Sequence, residues 1–332
     1  MGDFKDHPSK KIIREQWCKP LIKFVYDALN CKLIYLGLPG TQAIDIFTWI
    51  EYIDQIIAFQ CRDYPKPSSV SQSKAKVQEL ETKLLELERQ GKISNFVLYD
   101  GFMEEVILRG KDTEGRCFNQ NDVVTIYNLD FCNAITTPLL VPDDKGNLEK
   151  YYKSGVIKKL LEIQRDISSS IRCKKFIMFL TIHSNFMDDE QTRFIAQNKD
   201  KDIKIYVNSL KGLTGLHKTL KLLKAYMYQI INNFFCHCDF TPEILPVITY
   251  CHDGNWLVHF TIIGTLNKQA SALSPCLQNP NDFFSQKFLT IKNSNLKPLS
   301  INGAVESDCS VNLVNAFQDS PSYKELWLSK KK

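Results

Sequence analysis

Apolar residues recur at helical spacing over 10–29, with Ile13, Trp17, Leu21, Phe24, Val25 and Leu29 on one face. The next apolar run, 32–36, is too short for a helix. Gly37-Leu38-Pro39-Gly40 closes it, which predicts a strand running into a tight turn. Thr41 is placed to cap a helix whose inner face uses Ala43, Ile46, Phe47 and Ile50. Further strands are predicted over 55–59, 95–99, 122–128 and 174–182, the last apolar almost throughout, as a strand covered on both faces should be. Between them, 74–90 and 151–167 are amphipathic helices. The first carries Val77, Leu80, Leu84 and Leu87 on one stripe and Glu and Lys elsewhere, the pattern of a solvated surface helix.

A third long helix is predicted over 216–235, followed by two β-rich runs, 244–252 and 256–264. Asp253-Gly254-Asn255 separates them, and Asp-Gly between such runs predicts a hairpin. Strands interleaved with helices imply a mainly parallel sheet with right-handed crossovers, and the hairpin adds an antiparallel end. The expected organisation is an N-terminal helical segment over 1–30, an α/β domain over 31–266 with a helical insertion at 66–92, and a C-terminal extension over 267–332. That extension is rich in Ser, Asn, Pro and Gln, with one apolar piece at 283–291.

Composition narrows the class without naming it. The 332 residues are 44% hydrophobic and 24% charged, close to globular averages, which excludes wholesale disorder. No stretch approaches the ~18 apolar residues of a membrane span, and the polar first residues lack a secretory pattern, so a cytoplasmic protein is expected. The eleven cysteines are odd in number, scattered, and never spaced Cys-x-x-Cys, which favours free buried thiols over a disulfide framework. A net charge of +5 permits an acidic or nucleic-acid partner without requiring one.

Four strand ends carry candidate chemistry. They are Tyr35-Leu36-Gly37-Leu38-Pro39-Gly40, Gln60-Cys61-Arg62-Asp63, Asp100-Gly101-Phe102 and Asn128-Leu129-Asp130-Phe131. Ligands in open α/β sheets sit at the carboxyl ends of the strands, near the switch point. With this element order and these strand ends, the chain resembles the class I S-adenosylmethionine-dependent methyltransferase superfamily. There, a Rossmann-like seven-stranded sheet, with helices on both faces, has its last strand inserted antiparallel beside the fifth. The resemblance implies that Gly37 and Gly40 hold the methionine part of S-adenosylmethionine, while Gln60 meets the ribose where an acid is usual. Asp100 would face the adenine amino group and Phe102 pack on its ring. Asp130 and Phe131 would handle the methyl acceptor, a nucleic acid or a protein. The fourth strand lacks the prolines that follow the acid in amino-methylating members. A non-catalytic binding protein on the same fold is the alternative.

Other residues invite chemistry and do not complete it. Cys132 lacks the preceding proline of cytosine-methylating enzymes, Phe131 standing there instead. Cys236-His237-Cys238, with Cys251-His252 downstream, is spaced too tightly for an ordinary zinc site, and core cysteines are expected rather than a metal. His183 and Ser184 have no Gly-x-Ser-x-Gly elbow, which leaves them as pocket lining. His259 alternates with apolar neighbours and reads as a satisfied strand histidine.

Overall fold

A computed structural model describes residues 7–61, 70–131, 133–142, 146–168, 175–267 and 279–299. Asp63 and Cys132 lie outside the described residues, as does most of 267–332. The chain divides into two compact units, one of residues 1–130 and 137–179, the other of 131–136 and 180–332.

The first unit opens with a helix in three parts: α1 (Pro8–Ile12), a π-helical segment (Ile13–Cys18) and α2 (Lys19–Leu29). Then β1 (Leu33–Gly37), α3 (Ile44–Trp49), β2 (Ile53–Gln60), α4 (Val70–Arg89), β3 (Asn95–Asp100), α5 (Met103–Arg109) and β4 (Ile126–Asp130) alternate, α5 being a helix the sequence pattern did not signal. The sheet order is β3-β2-β1-β4, all parallel, with β7 (Lys175–His183) next to β4. Neighbouring residues Tyr35 and Leu36 of β1, and Ile126, Tyr127 and Leu129 of β4, are all fully buried. Since adjacent strand residues face opposite ways, both faces of this sheet are covered. The fourth strand begins later than the 122–128 expected, at Ile126, and just before it Thr125 bonds Ile34 through both its backbone N–H and its hydroxyl. Between β4 and α6 (Lys153–Ser168) lies a small hairpin, β5 (Leu139–Pro142) and β6 (Leu148–Tyr151), that the sequence pattern did not signal.

In the second unit, α7 (Asp188–Gln197), α8 (Lys201–Ser209) and α9 (Gly215–His237) lead to β8 (Phe240–Ile244), β9 (Ile248–His252) and β10 (Asn255–Leu266). Asp253 and Gly254 have φ of 48° and 78°, the two left-handed residues of a two-residue hairpin turn, so the Asp-Gly reading holds. The 244–252 run is not one strand. β8 and β9 both pair antiparallel with β10, but their registers differ by one residue, and the step falls at Leu245-Pro246-Val247. Proline has no N–H to give the ladder, which explains a bulge there. β10 lies beside β7. Thr181 meets His259 and Ser184 meets Trp256, so the partners run in opposite directions and the last long strand is antiparallel to the fifth.

The expected strand count needs correction. Among the described residues the sheet has ten strands, not seven. Besides the break at Pro246, the excess comes from residues assigned to the extension. α10 (Pro280–Ser285) is followed by β11 (Leu289–Lys292), which pairs parallel with β9, and β12 (Asn295–Pro298), which closes an antiparallel hairpin on it.

Candidate active site at the strand ends

Register places the predicted residues more tightly than sequence could. In the parallel ladders Gly37 stands opposite both Ala58 and Asn128, and Gln60 stands opposite Asp100. Side chains alternate along a strand, so Gly37, Gln60, Asp100, Asn128 and Asp130 share one face of the sheet at its carboxyl edge. Gln60 and Asp100 are each under 10% exposed, at 9% and 8%. The Gln60 amide Nε2 donates to the Cys61 carbonyl, 3.1 Å away, which turns its Oε1 into the acceptor. Asp100 is held at its backbone: its carbonyl accepts from both the N–H and the hydroxyl of Thr113, and its N–H reaches the Asp112 carboxylate. Phe102, half-buried, caps α5 in an extended conformation.

The two glycines have different causes. A Cβ on Gly37 would lie 2.4 Å from the Asn128 carbonyl oxygen and 2.7 Å from the Tyr35 hydroxyl. Its own chain therefore requires that glycine, apart from any ligand. Gly40 has φ of 64° and its carbonyl accepts from the Ala43 N–H, so it makes the left-handed turn into α3. Phe131, in the other unit, is 2% exposed and its N–H donates to the Thr181 carbonyl. Its ring is packed in protein rather than presented to a ligand.

A polar cluster that the sequence did not reveal sits on the same face. Asp45, in the first turn of α3, is paired with the Arg14 guanidinium and accepts from the Asn128 amide at 2.8 Å. Asn128 also donates to the Tyr35 hydroxyl at 3.3 Å. Lys10, one helical turn before Arg14, is paired with the carboxylate of Asp130. Burial raises the Asp45 carboxyl, and Arg14 only partly offsets it. The Tyr35 phenol is pushed well up by burial and then by the Asp45 charge, and the Cys18 thiol rises for the same two reasons. The π segment belongs to this cluster. Its wider turn lets the Arg14 carbonyl accept both the Lys19 N–H and the Trp49 indole N–H, the latter at 3.3 Å. A signal for Arg14 existed. It shares a helical stripe with Trp17 and Leu21, where a cation has to find a buried partner.

Both ring nitrogens of His259 meet threonine hydroxyls, Thr181 at 2.9 Å and Thr261 at 3.3 Å, the satisfied strand histidine expected. Cys238 is buried, and burial raises the half-buried Cys236 thiol. Among the described residues no helix is long and apolar enough to cross a membrane.

No family model matches this sequence, and no curated protein matches it. Solved structures do. The YcgJ protein of Bacillus subtilis is 8% identical, with a TM-score of 0.36 over 74% of this chain and 98% of its own. Magnesium protoporphyrin IX methyltransferase of Synechocystis, solved with SAH, is 10% identical, with a TM-score of 0.36 over 79% and 90%. A tRNA (m1A22) methyltransferase assignment accompanies Sp1610 of Streptococcus pneumoniae, solved with S-adenosyl-L-methionine. It is 10% identical, with a TM-score of 0.31 over 94% and 86%. The sheet of this chain is mainly parallel with antiparallel strands at one end, the α/β class expected.

Proposed function

We propose that this chain transfers a methyl group from S-adenosylmethionine to an acceptor that meets the end of β4. The observation that carries the reading is the juxtaposition of Gln60 and Asp100 as register partners on one face of adjacent strand ends. Ribose hydroxyls and an adenine amino group are hydrogen-bond donors, and these two side chains supply acceptors side by side, so the residues fit the cofactor chemically. Gln60 would take the ribose, Asp100 the adenine amino group, and the half-buried Phe102 one face of the ring. Gly40 would let the turn after β1 pass close to the methionine part. The cofactor supplies an activated methyl group. The chain's task is to align an acceptor lone pair with it, and Asp130 is the group placed to accept a hydrogen bond from the acceptor.

Gln60 bears no charge, so its hydrogen bond to a hydroxyl is weaker than a carboxylate's. The expected affinity for S-adenosylmethionine by calorimetric titration is micromolar or poorer. Gln60→Glu should tighten it several-fold, because a charged acceptor roughly doubles hydrogen-bond strength. An absence of heat at millimolar cofactor, for the natural chain and for Gln60→Glu, would remove the enzyme reading. One observation favours the alternative of a non-catalytic binding protein: Asn128 and Asp130, the polar groups of β4 on the site's face, are already engaged by the chain's own side chains.

A further inference from the structure

The two cations of the N-terminal helix differ in depth. The Arg14 side chain is 8% exposed and anchored three ways, by the Asp45 carboxylate at its head and by Lys19 and Trp49 at its carbonyl. The Lys10 side chain, one turn earlier, is 17% exposed, and its carboxylate partner on Asp130 is 23% exposed. Between the two cations the helix changes from α to π winding, at Ile13. π turns inside helices are frequent at functional sites. α1 is the first turn of that continuous helix, and Ile12 is its buried residue.

We propose that α1 is a latch on the acceptor end of the site, closed by Lys10 on Asp130 and pivoting at the π segment about the Arg14–Asp45 anchor. The inference rests on the reading of Asp130 as the acceptor-handling group. The Lys10 ammonium holds Oδ2 of Asp130, so an acceptor that is to use that oxygen has to displace it. The group that replaces it must itself bring a donor, and a cationic or neutral amine is the closest chemical match to the ammonium it displaces. The latch therefore selects for amine-bearing acceptors. The energy scale suits a switch: a partly exposed ion pair is worth about 1 kcal/mol or less, so it opens readily, whereas the buried anchor does not.

Hydrogen exchange of the full chain, followed by mass spectrometry, tests this without a known acceptor. Lys10→Met and Asp130→Asn should each speed exchange of the α1 amides several-fold and leave those of α2 unchanged. The double variant should be no faster than either single one, and Lys10→Arg should keep the protection. Methylammonium chloride, compared with sodium chloride at equal ionic strength, should speed α1 exchange in the natural chain and not in Asp130→Asn. Carbodiimide-driven labelling of Asp130 should rise in Lys10→Met. Unchanged α1 exchange, or equal acceleration of α1 and α2, would overturn the latch. So would equal effects of the two salts, which would leave an ordinary surface ion pair. Failure of the methyltransferase reading looks different: no cofactor heat from the natural chain or from Lys10→Met, whatever the exchange data show.

Discussion

Arg14 of the first unit and Lys224 of the second are both buried cations, and they solve the same problem in opposite ways. In the first, Arg14 faces a carboxylate, and that carboxylate is steadied by a second donor, Asn128. In the second, Lys224 is 2% exposed and has no carboxylate within reach among the described residues. Its ammonium donates to the carbonyls of Phe283 and Gln286, both at 2.7 Å, and lies 4.5 Å above the Phe283 ring and 5.4 Å above that of Phe288. Arginine stays protonated whatever its surroundings, so burying it demands a counter-charge. Lysine can give up its proton instead, and burial, with a lesser push from Lys221, lowers Lys224 to about 7. The first arrangement holds a fixed ion pair between the N-terminal helix and α3, beside the end of β4. The second caps the carboxyl end of a short helix and ties α10 to α9, a packing role that tolerates a neutral amine.

Removing the guanidinium should expose the contrast most sharply. Arg14→Met strands Asp45 in a buried site with Asn128 and nothing positive, and breaking such a pair costs about 3 kcal/mol. Urea unfolding at slightly alkaline pH should show that loss. The defect should shrink as pH falls, because Asp45, already raised by burial, would rise further without Arg14 and take up a proton. A loss that does not vary with pH would mean that Arg14 contributes packing and not charge.

The lysine should produce a smaller effect of distinct pH shape. Its folded value near 7 lies below an unfolded value near ~10.4, so between those limits the unfolded chain binds the extra proton. Stability attributable to Lys224 therefore rises with pH above about 7. Burial-raised groups such as Cys18 and Tyr35 bring the opposite trend at high pH, so the natural chain has to be compared with Lys224→Met, which keeps those groups. The difference in unfolding free energy should move by about 2 kcal/mol in favour of the natural chain from neutral pH to two units above it. A flat difference would show that Lys224 remains charged inside the fold and that its rings and carbonyls replace water fully.

The two regions also differ in how far sequence reveals them. The parallel strands were legible because burial on both faces writes unbroken apolar runs, and the β9–β10 turn because Asp253-Gly254 is a local instruction. Gln60, Asp100 and Asp130 were found as strand-end residues by position alone. Their common face needed the register, which is set by pairing between strands far apart in the chain. The ion pair of Lys10 with Asp130 spans 120 positions, and no local spacing encodes it. Lys224 looks like any helix lysine until α10 is placed against it. β11 and β12 were missed for a related reason: each is only four residues long, and they become strands by β11 adding to β9 and β12 to β11. Gly37 is the instructive middle case. Sequence located it correctly, but the atoms that exclude its Cβ are the Asn128 carbonyl and the Tyr35 hydroxyl, a long-range constraint behind a local motif.

The smallest expected effect on stability falls on Asp130, and it carries the most information about function. Its partner Lys10 is partly exposed, and so is Asp130, which puts the pair in the class worth under ~1 kcal/mol. Asp130→Asn keeps the side chain's shape and one acceptor oxygen while removing the charge that Lys10 needs. The melting temperature should move by no more than a few degrees, in contrast to Arg14→Met at the other end of the same helical turn. Leu129, fully buried on the opposite face, fixes the backbone, so the amide should sit where the carboxylate did. Cofactor binding should persist, since Gln60 and Asp100 stand on other strands. Methyl transfer should fall sharply once an acceptor is in hand, because an amide cannot take up the acceptor's proton and orients it less strongly. A variant that melts early yet retains full turnover per folded molecule would make Asp130 a fastening for α1 and nothing more. The charge at the end of β4 would then belong with Lys224, as architecture.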